Sequence, residues 1–236
     1  RKHRIRRYGF HGTSHRYISE CAAKFLNRPA EELKLITMHL GNGCSMAAID
    51  GGKVIDTSMG FTPLEGLVMG TRSGDIDPAV FPVLCRAKGI TVEEAVDYLN
   101  KKSGLLGMCG YSDMRDVYKA IAKGEEDARI AYEIFVYRVV KYTGAYYAAL
   151  KGLDALVFTA GIGENEFQLR EDVCKELEFM GVKLDYALNR TKLEQTIFTP
   201  TDLSAPDSKI KVLVIPTDEE LVIARDTYRL AMRSQA

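Results

Sequence analysis

No charge of either sign dominates this chain: lysine plus arginine and aspartate plus glutamate each number 32 among 236 residues. So even a balance builds no global field that would draw in nucleic acid or anionic lipid. No CxxC pair occurs among the five cysteines Cys21, Cys44, Cys85, Cys109 and Cys174. An odd, dispersed set argues against a disulfide frame or a zinc knuckle, and for reduced thiols in a cytosolic compartment. Apolar runs such as ALVF and KVLVI fall far short of the ~20 residues that span a bilayer. Neither an internal repeat of fixed period nor a low-complexity linker is present. Histidine is scarce and localised, since all four (His3, His11, His15, His39) fall within the first 39 residues.

What is present is ordinary globular material, 46% hydrophobic and 27% charged, long enough for one large domain or two small ones. Apolar spacing predicts a helix over Arg16 to Leu26 and a strand over 33–41. Two short strands joined at Asp50-Gly51-Gly52 form a hairpin signal over 44–58. Thr91 with Glu94 makes a capping box for a helix through Tyr98. A long helical pattern runs from Glu125 to Lys151. DALVFTAG (154–161) and KIKVLVIP (209–216) are continuous apolar runs, as expected of strands buried on both faces. Helices are expected from about Glu166 to Phe179, and from a Thr217/Glu220 capping box through Ala231. Strands alternating with helices predict an α/β fold with a mixed sheet flanked by helices.

Glycines cluster at the strand exits, where α/β folds place ligands. FHGTSH (10–15) sets two imidazoles four residues apart. Zinc is disfavoured there, because Gly12 and two hydroxyl residues make a poor helix and no acid is interposed. A serine hydrolase is disfavoured too, because Ser14 lacks the second glycine of an elbow. Thr13 or Ser14 could simply cap the helix that follows. HLGNG (39–43) can form an anion nest with Asn42 as a neutral donor, or an ordinary Asn-Gly turn. In MGTRSGDIDP (69–78), Arg72 between Gly70 and Gly74 offers a bidentate fork for phosphate or carboxylate; Asp75 or Asp77 could instead satisfy it as a surface ion pair. FTAGIGEN (158–165) reads as strand, glycine loop and helix N-terminus, suited to a nucleotide. Asp218 and Glu219 of PTDEE (216–220) suit a helix dipole or a Mg²⁺ ion.

Together these five motifs, in this order, resemble the acetate kinase family, and SMGFTPLEG (58–66) and NKKSG (100–104) fit as well. The likeness extends over essentially all 236 residues. It implies the ribonuclease-H-like fold of the acetate- and sugar-kinase, heat-shock-chaperone and actin superfamily. It also implies reversible transfer of the ATP γ-phosphoryl to acetate, giving acetyl phosphate and ADP. By the same resemblance His11 and Arg72 stabilise the transferring group, while His39, Leu40, Gly41, Asn42 and Gly43 hold ATP phosphates. Asp113, Met114 and Arg115 of SDMRD contact nucleotide, and Gly161, Ile162, Gly163, Glu164 and Asn165 line the adenosine pocket. Glu219 positions Mg²⁺, and Phe10 and Pro63 shape a pocket for the short acyl chain. His15 is expected to be structural. Family members begin with a further domain carrying an asparagine, an arginine and an aspartate of the active site. The basic start RKHRIRR is therefore read as the continuation of a longer polypeptide, not a nuclear-import patch. The resemblance further implies a cytoplasmic homodimer, to which the helix around Tyr142 to Tyr147 would contribute. A nucleotide-binding module without phosphotransfer, or a propionate or butyrate kinase, are the alternatives.

Overall fold

A computed structural model of the chain describes residues 2–191 and 199–233. The chain divides into two compact units. One comprises Arg1–Phe10, Leu40–Met46 and Thr57–Ala145; the other comprises His11–His39, Ala47–Asp56 and Tyr146–Ala236.

The second unit carries most of a six-stranded sheet of order β3-β2-β1-β4-β6-β5. Its strands are β1 (Lys34–Leu40), β2 (Cys44–Asp50), β3 (Lys53–Thr57), β4 (Ala155–Thr159), β5 (Thr201–Asp202) and β6 (Lys211–Val214). Strand β4 lies parallel to both β1 and β6, with Leu35 opposite Ala155 and Ala155 opposite Lys211. Strand β5 runs antiparallel to β6, so the sheet is mixed, as expected. All five residues of β4 are buried, which explains its unbroken apolar run. The hairpin forms at Gly51 and Gly52, whose φ values of 57° and 74° are the left-handed pair that a tight two-residue turn requires.

Alternation along the strands turns Leu35, Ala47, Ile49, Ala155, Val157, Leu213 and Ile215 to one face. There they pack with Ile18, Ala22 and Ala23 of helix α1 (Gly12–Phe25). Full burial of each Val, Leu or Ile contributes about 1.5–3 kcal/mol. Helix α1 begins four residues earlier than its apolar spacing suggests. His11 supplies the N-cap in a left-handed conformation and no side chain caps it, so neither Thr13 nor Ser14 has the expected capping role. The helix expected from about Glu166 to Phe179 is α8 (Phe167–Glu176), and a further short helix, α7 (Ala160–Asn165), precedes it. Tyr186–Arg190 forms α9 and Glu219–Arg233 forms α10. The Thr217 capping box is not formed. Asp218 Oδ1 accepts the Leu221 N–H at 2.9 Å, and the Thr217 hydroxyl points elsewhere.

The first unit contains helices α2 (Val80–Lys88), α3 (Val92–Lys101), α4 (Gly104–Cys109), α5 (Met114–Ala122) and most of α6 (Glu126–Leu150). The α3 capping box has both its bonds: Glu94 N–H to Thr91 Oγ1 at 3.2 Å and Thr91 N–H to Glu94 Oε2 at 2.8 Å. Within the Tyr-rich stretch expected to face a partner, Tyr142 donates to Asp75 Oδ2 at 2.8 Å and Tyr146 is buried, so both are engaged inside the chain. Among the described residues no helix is long and apolar enough to cross a membrane.

Candidate functional site

The second unit gathers several motif residues at the carboxyl edge of its parallel strands. His39, next to last in β1, lies opposite Thr159 of β4, and Thr217 follows the exit of β6. His11 stands at the start of α1 with its ring stacked on His39, centroids 4.0 Å apart and planes 20° from parallel. Ser14, in the first turn of α1, is fully buried and lies 2.9 Å from His39 Nδ1. Thr217 Oγ1 donates to Ser14 Oγ at 2.9 Å. Thr217 N–H reaches Glu164 Oε1 at 3.2 Å, and the same oxygen accepts the Ala160 N–H at 2.7 Å and the Thr159 hydroxyl at 3.2 Å. Glu164 therefore ties the β4 exit to the β6 exit. Its carboxylate takes the first amide of α7. Gly161 and Asn165 remain exposed on the same turn, with Ile162 half-buried.

The three imidazoles have different surroundings. His15 is buried with Nδ1 2.7 Å from Thr37 Oγ1. Burial, reinforced by the neighbouring His39 and His11, pulls its pKa from 6.5 down to about 3. Burial and His11 likewise bring His39 to about 4. Unfolded, both rings would take a proton near pH 6.5, whereas folded they resist it until far lower. Stability is thus complete above pH 6.5 and is lost as the pH falls toward 4, by up to ~1.4 kcal/mol per unit for each ring. The urea midpoint should be flat above about pH 7 and decline below about 6, and His15→Gln should flatten the decline. A midpoint independent of pH across this window would contradict the burial of both rings.

Behind the GIGEN turn sits Arg170, 1% exposed. Its Nη1 donates to the carbonyls of Gly163 and Glu164 at 2.8 and 2.9 Å, and its Nε to Asn189 Oδ1 at 2.7 Å. Asn189 and Arg190 both donate to Glu171 Oε1, which lies next in sequence and balances the buried charge. Arg170→Ala would leave two carbonyls and an amide oxygen buried without donors. A loss of roughly 3 kcal/mol in urea unfolding is expected.

The first unit assembles the other motifs. Gly70 N–H donates to the Asn42 carbonyl at 3.1 Å. A Cβ on Gly70 would lie 2.2 Å from Asn42 Oδ1 and 2.7 Å from the Ser112 carbonyl. HLGNG, MGTRSG and SDMRD therefore meet at a glycine because no side chain fits between them. NKKSG joins them: Ser103 N–H bonds the Thr71 carbonyl at 2.9 Å, and Leu105 and Leu106 N–H bond the carbonyls of Met69 and Gly70, also at 2.9 Å. Arg72 is half-buried on this braced loop. Its Nη1 finds the Pro63 carbonyl at 3.4 Å and the Met69 thioether at 3.7 Å, both weak contacts. The acids that could have neutralised it are engaged elsewhere. Asp75 pairs with Arg138 and accepts from Tyr142 and from Gly66 N–H, while Asp77 Oδ1 accepts the Ala79 N–H.

Other predicted residues divide between backbone and side-chain candidates. Leu40 and Met114 are buried, at 0% and 2% exposure, so their side chains belong to the core and only their backbone can meet a ligand. Gly41 N–H donates to the Gly43 carbonyl at 3.2 Å, which closes the turn between β1 and β2. Asp113 N-caps α5 and is gripped by Arg115 Nε and Nη2, which holds its carboxyl at about 2. Phe10 and Pro63 are half-buried in the first unit. Ser14 and Thr217 read locally as helix caps, because partners 25 and 203 residues away leave no local pattern.

The sequence profile described as the acetokinase family matches residues 1–225. An acetate kinase of Campylobacter jejuni is 55% identical over 229 residues, covering 97% of this chain and 57% of the relative. One of Thermotoga maritima is 58% identical over 232 residues, with the same coverage of both. The crystal structure of Porphyromonas gingivalis acetate kinase superposes with a TM-score of 0.92 at 48% identity, covering 98% of this chain and 57% of that one. A propionate kinase from Francisella tularensis gives 0.86 at 48% identity, covering 94% and 56%. The chain thus spans a little over half the length of the relatives it matches.

Proposed function

We propose, since this chain belongs to the acetokinase family, that it supplies the nucleotide-binding part of a cytoplasmic, homodimeric kinase converting ATP and acetate reversibly to ADP and acetyl phosphate. A carboxylate oxygen of acetate attacks the γ-phosphorus. The bond from that phosphorus to the β,γ-bridging oxygen breaks, and ADP leaves with the electron pair. No proton has to move, so the protein's task is positioning and charge. The observation that carries this reading is Arg72: a half-buried guanidinium with no acid partner among the described residues, on a loop braced by Gly70 and NKKSG. His11 is proposed to add its imidazole to the same transferring group. The glycine turn 41–43 with Asn42 and His39 would hold the nucleotide phosphates, Asp113 to Arg115 and the GIGEN turn its other contacts, and Phe10 and Pro63 the acyl chain.

The donor set suits magnesium. Among the described residues no group of three or more side chains is placed to hold an ion, whereas Glu219 stands half-buried in the first turn of α10. One carboxylate fits an ion that keeps its waters and is carried chiefly by substrate phosphates. When bound, Mg²⁺ would neutralise charge on the β- and γ-phosphates.

Joining the chain to the upstream domain of a relative and assaying acetyl phosphate from MgATP tests the proposal directly. Acetate-dependent turnover is expected. ADP binding without turnover would replace it with a nucleotide-binding module, and faster turnover with propionate would reassign the acceptor, as the Francisella relative's name allows. Sedimentation of the chain tests the dimer.

A further inference from the structure

We propose that Ser14 and Thr217 form a hydroxyl relay that fixes His39 as the Nε2–H tautomer, so that the ring presents a hydrogen-bond donor to a phosphate oxygen. The phosphate half of this inference rests on the nucleotide role given to His39 above; the relay itself does not.

With the Thr217 hydroxyl taken as the donor, the proton count fixes the rest of the relay. Thr217 Oγ1 donates to Ser14 Oγ at 2.9 Å. Ser14 is 0% exposed, so no solvent oxygen competes for its single proton. The remaining partner of Ser14 Oγ among the described residues is His39 Nδ1 at 2.9 Å. The Ser14 proton therefore points at Nδ1, which must present its lone pair, and a neutral imidazole then carries its hydrogen on Nε2. Burial keeps the ring neutral at physiological pH. The orientation matters because phosphate oxygens only accept: a lone pair turned toward them would repel, whereas N–H binds without adding charge.

The relay also has mechanical reach. His39 lies next to last in β1, Ser14 in the first turn of α1, and Thr217 follows β6, three segments of the second unit that are far apart in sequence. Thr217 is held in turn through its N–H by Glu164 Oε1. His11, stacked on His39, takes its ring plane from a neighbour whose own orientation the relay fixes. Ser14 and Thr217 are thus positioning residues that act through His39.

The experiment uses the uniformly ¹⁵N-labelled chain at neutral pH and long-range ¹H–¹⁵N spectra of the histidine rings, followed by titration with MgADP. His39 is expected to show a protonated Nε2 and an unprotonated Nδ1. Ser14→Ala and Thr217→Val, which remove a hydroxyl at nearly constant shape, should give a mixture of tautomers and weaken MgADP about tenfold, the scale of one hydrogen bond. Thr217→Ser should restore both. A proton on His39 Nδ1 in the unsubstituted chain would overturn the relay. So would a Thr217→Val variant with unchanged tautomer and affinity. A shifted tautomer with unchanged MgADP affinity would overturn the positioning role. If the unsubstituted chain shows the Nε2–H form and binds no MgADP, the nucleotide reading fails and the relay stands, which separates the two.

Discussion

Arg72→Ala, in the chain joined to an upstream domain, should cut acetyl phosphate formation by roughly three orders of magnitude, the usual scale for a guanidinium at a transferring phosphoryl group. The expectation follows from what surrounds the side chain. Its carboxylate neighbours are already committed, Asp75 to Arg138 and Tyr142 and Asp77 to the turn before α2. Removing Arg72 therefore leaves no orphaned acid, and stability should change by less than about 1 kcal/mol. The backbone bonds that hold its loop, from Ser103, Leu105 and Leu106, do not involve the guanidinium and should survive. The signature is a collapse in kcat with MgADP affinity changed less than about twofold, because charge that matters only in transfer acts on the transition state. Arg72→Lys keeps the charge but loses the planar fork, and should recover only a small part of the rate. Near-normal turnover in Arg72→Ala would remove this residue from the chemistry.

Gly104→Ala should destabilise the first unit by about 3–4 kcal/mol in urea unfolding. Gly104 has φ +60°, and a Cβ there would lie 2.2 Å from the Met69 carbonyl and 2.6 Å from that of Arg72. Both contacts are backbone and cannot rotate away. The cost thus combines a left-handed alanine, roughly 1–2 kcal/mol, with overpacking of about 1–3 kcal/mol. Because the displaced backbone carries Arg72, activity should fall along with stability. Gly110→Ala separates the two contributions. Its φ is +83° and nothing lies within 4 Å of the added atom, so only the conformational cost applies. Equal losses in the two variants would show that the close approach of NKKSG to the Arg72 loop carries no weight.

Much of the fold was legible because its signals are local. The β2–β3 turn needs two adjacent residues with left-handed φ and has Gly51 and Gly52. The start of α3 needs a hydroxyl and a carboxylate three residues apart and has Thr91 and Glu94. The apolar runs of β4 and β6 follow from burial on both faces. Where the reading departed from the structure, a distant partner had overridden a local preference. Ser14 looked like a helix cap, yet its hydroxyl lies inside the helix and meets His39. Thr217 looked like half of a capping box, yet its partner is 203 residues away. Helix α1 starts at Gly12 through poor helix formers because His11 accepts a left-handed backbone and the residues behind it gain buried hydrogen bonds.

By itself, then, the order of residues determined the long helices and the buried strands, several of the places where glycine lets backbone approach backbone, and the family. These depend on φ preference, period and side-chain reach over a few neighbours. Only the tertiary structure decided which of several chemically equivalent groups serves which purpose. Asp75 was free to pair with Arg72 or with Arg138, and Glu164 was free to face a ligand or to clasp the β4 and β6 exits. A hydroxyl or carboxylate bonds whatever burial brings within about 3 Å, and that neighbour is set by how remote segments pack.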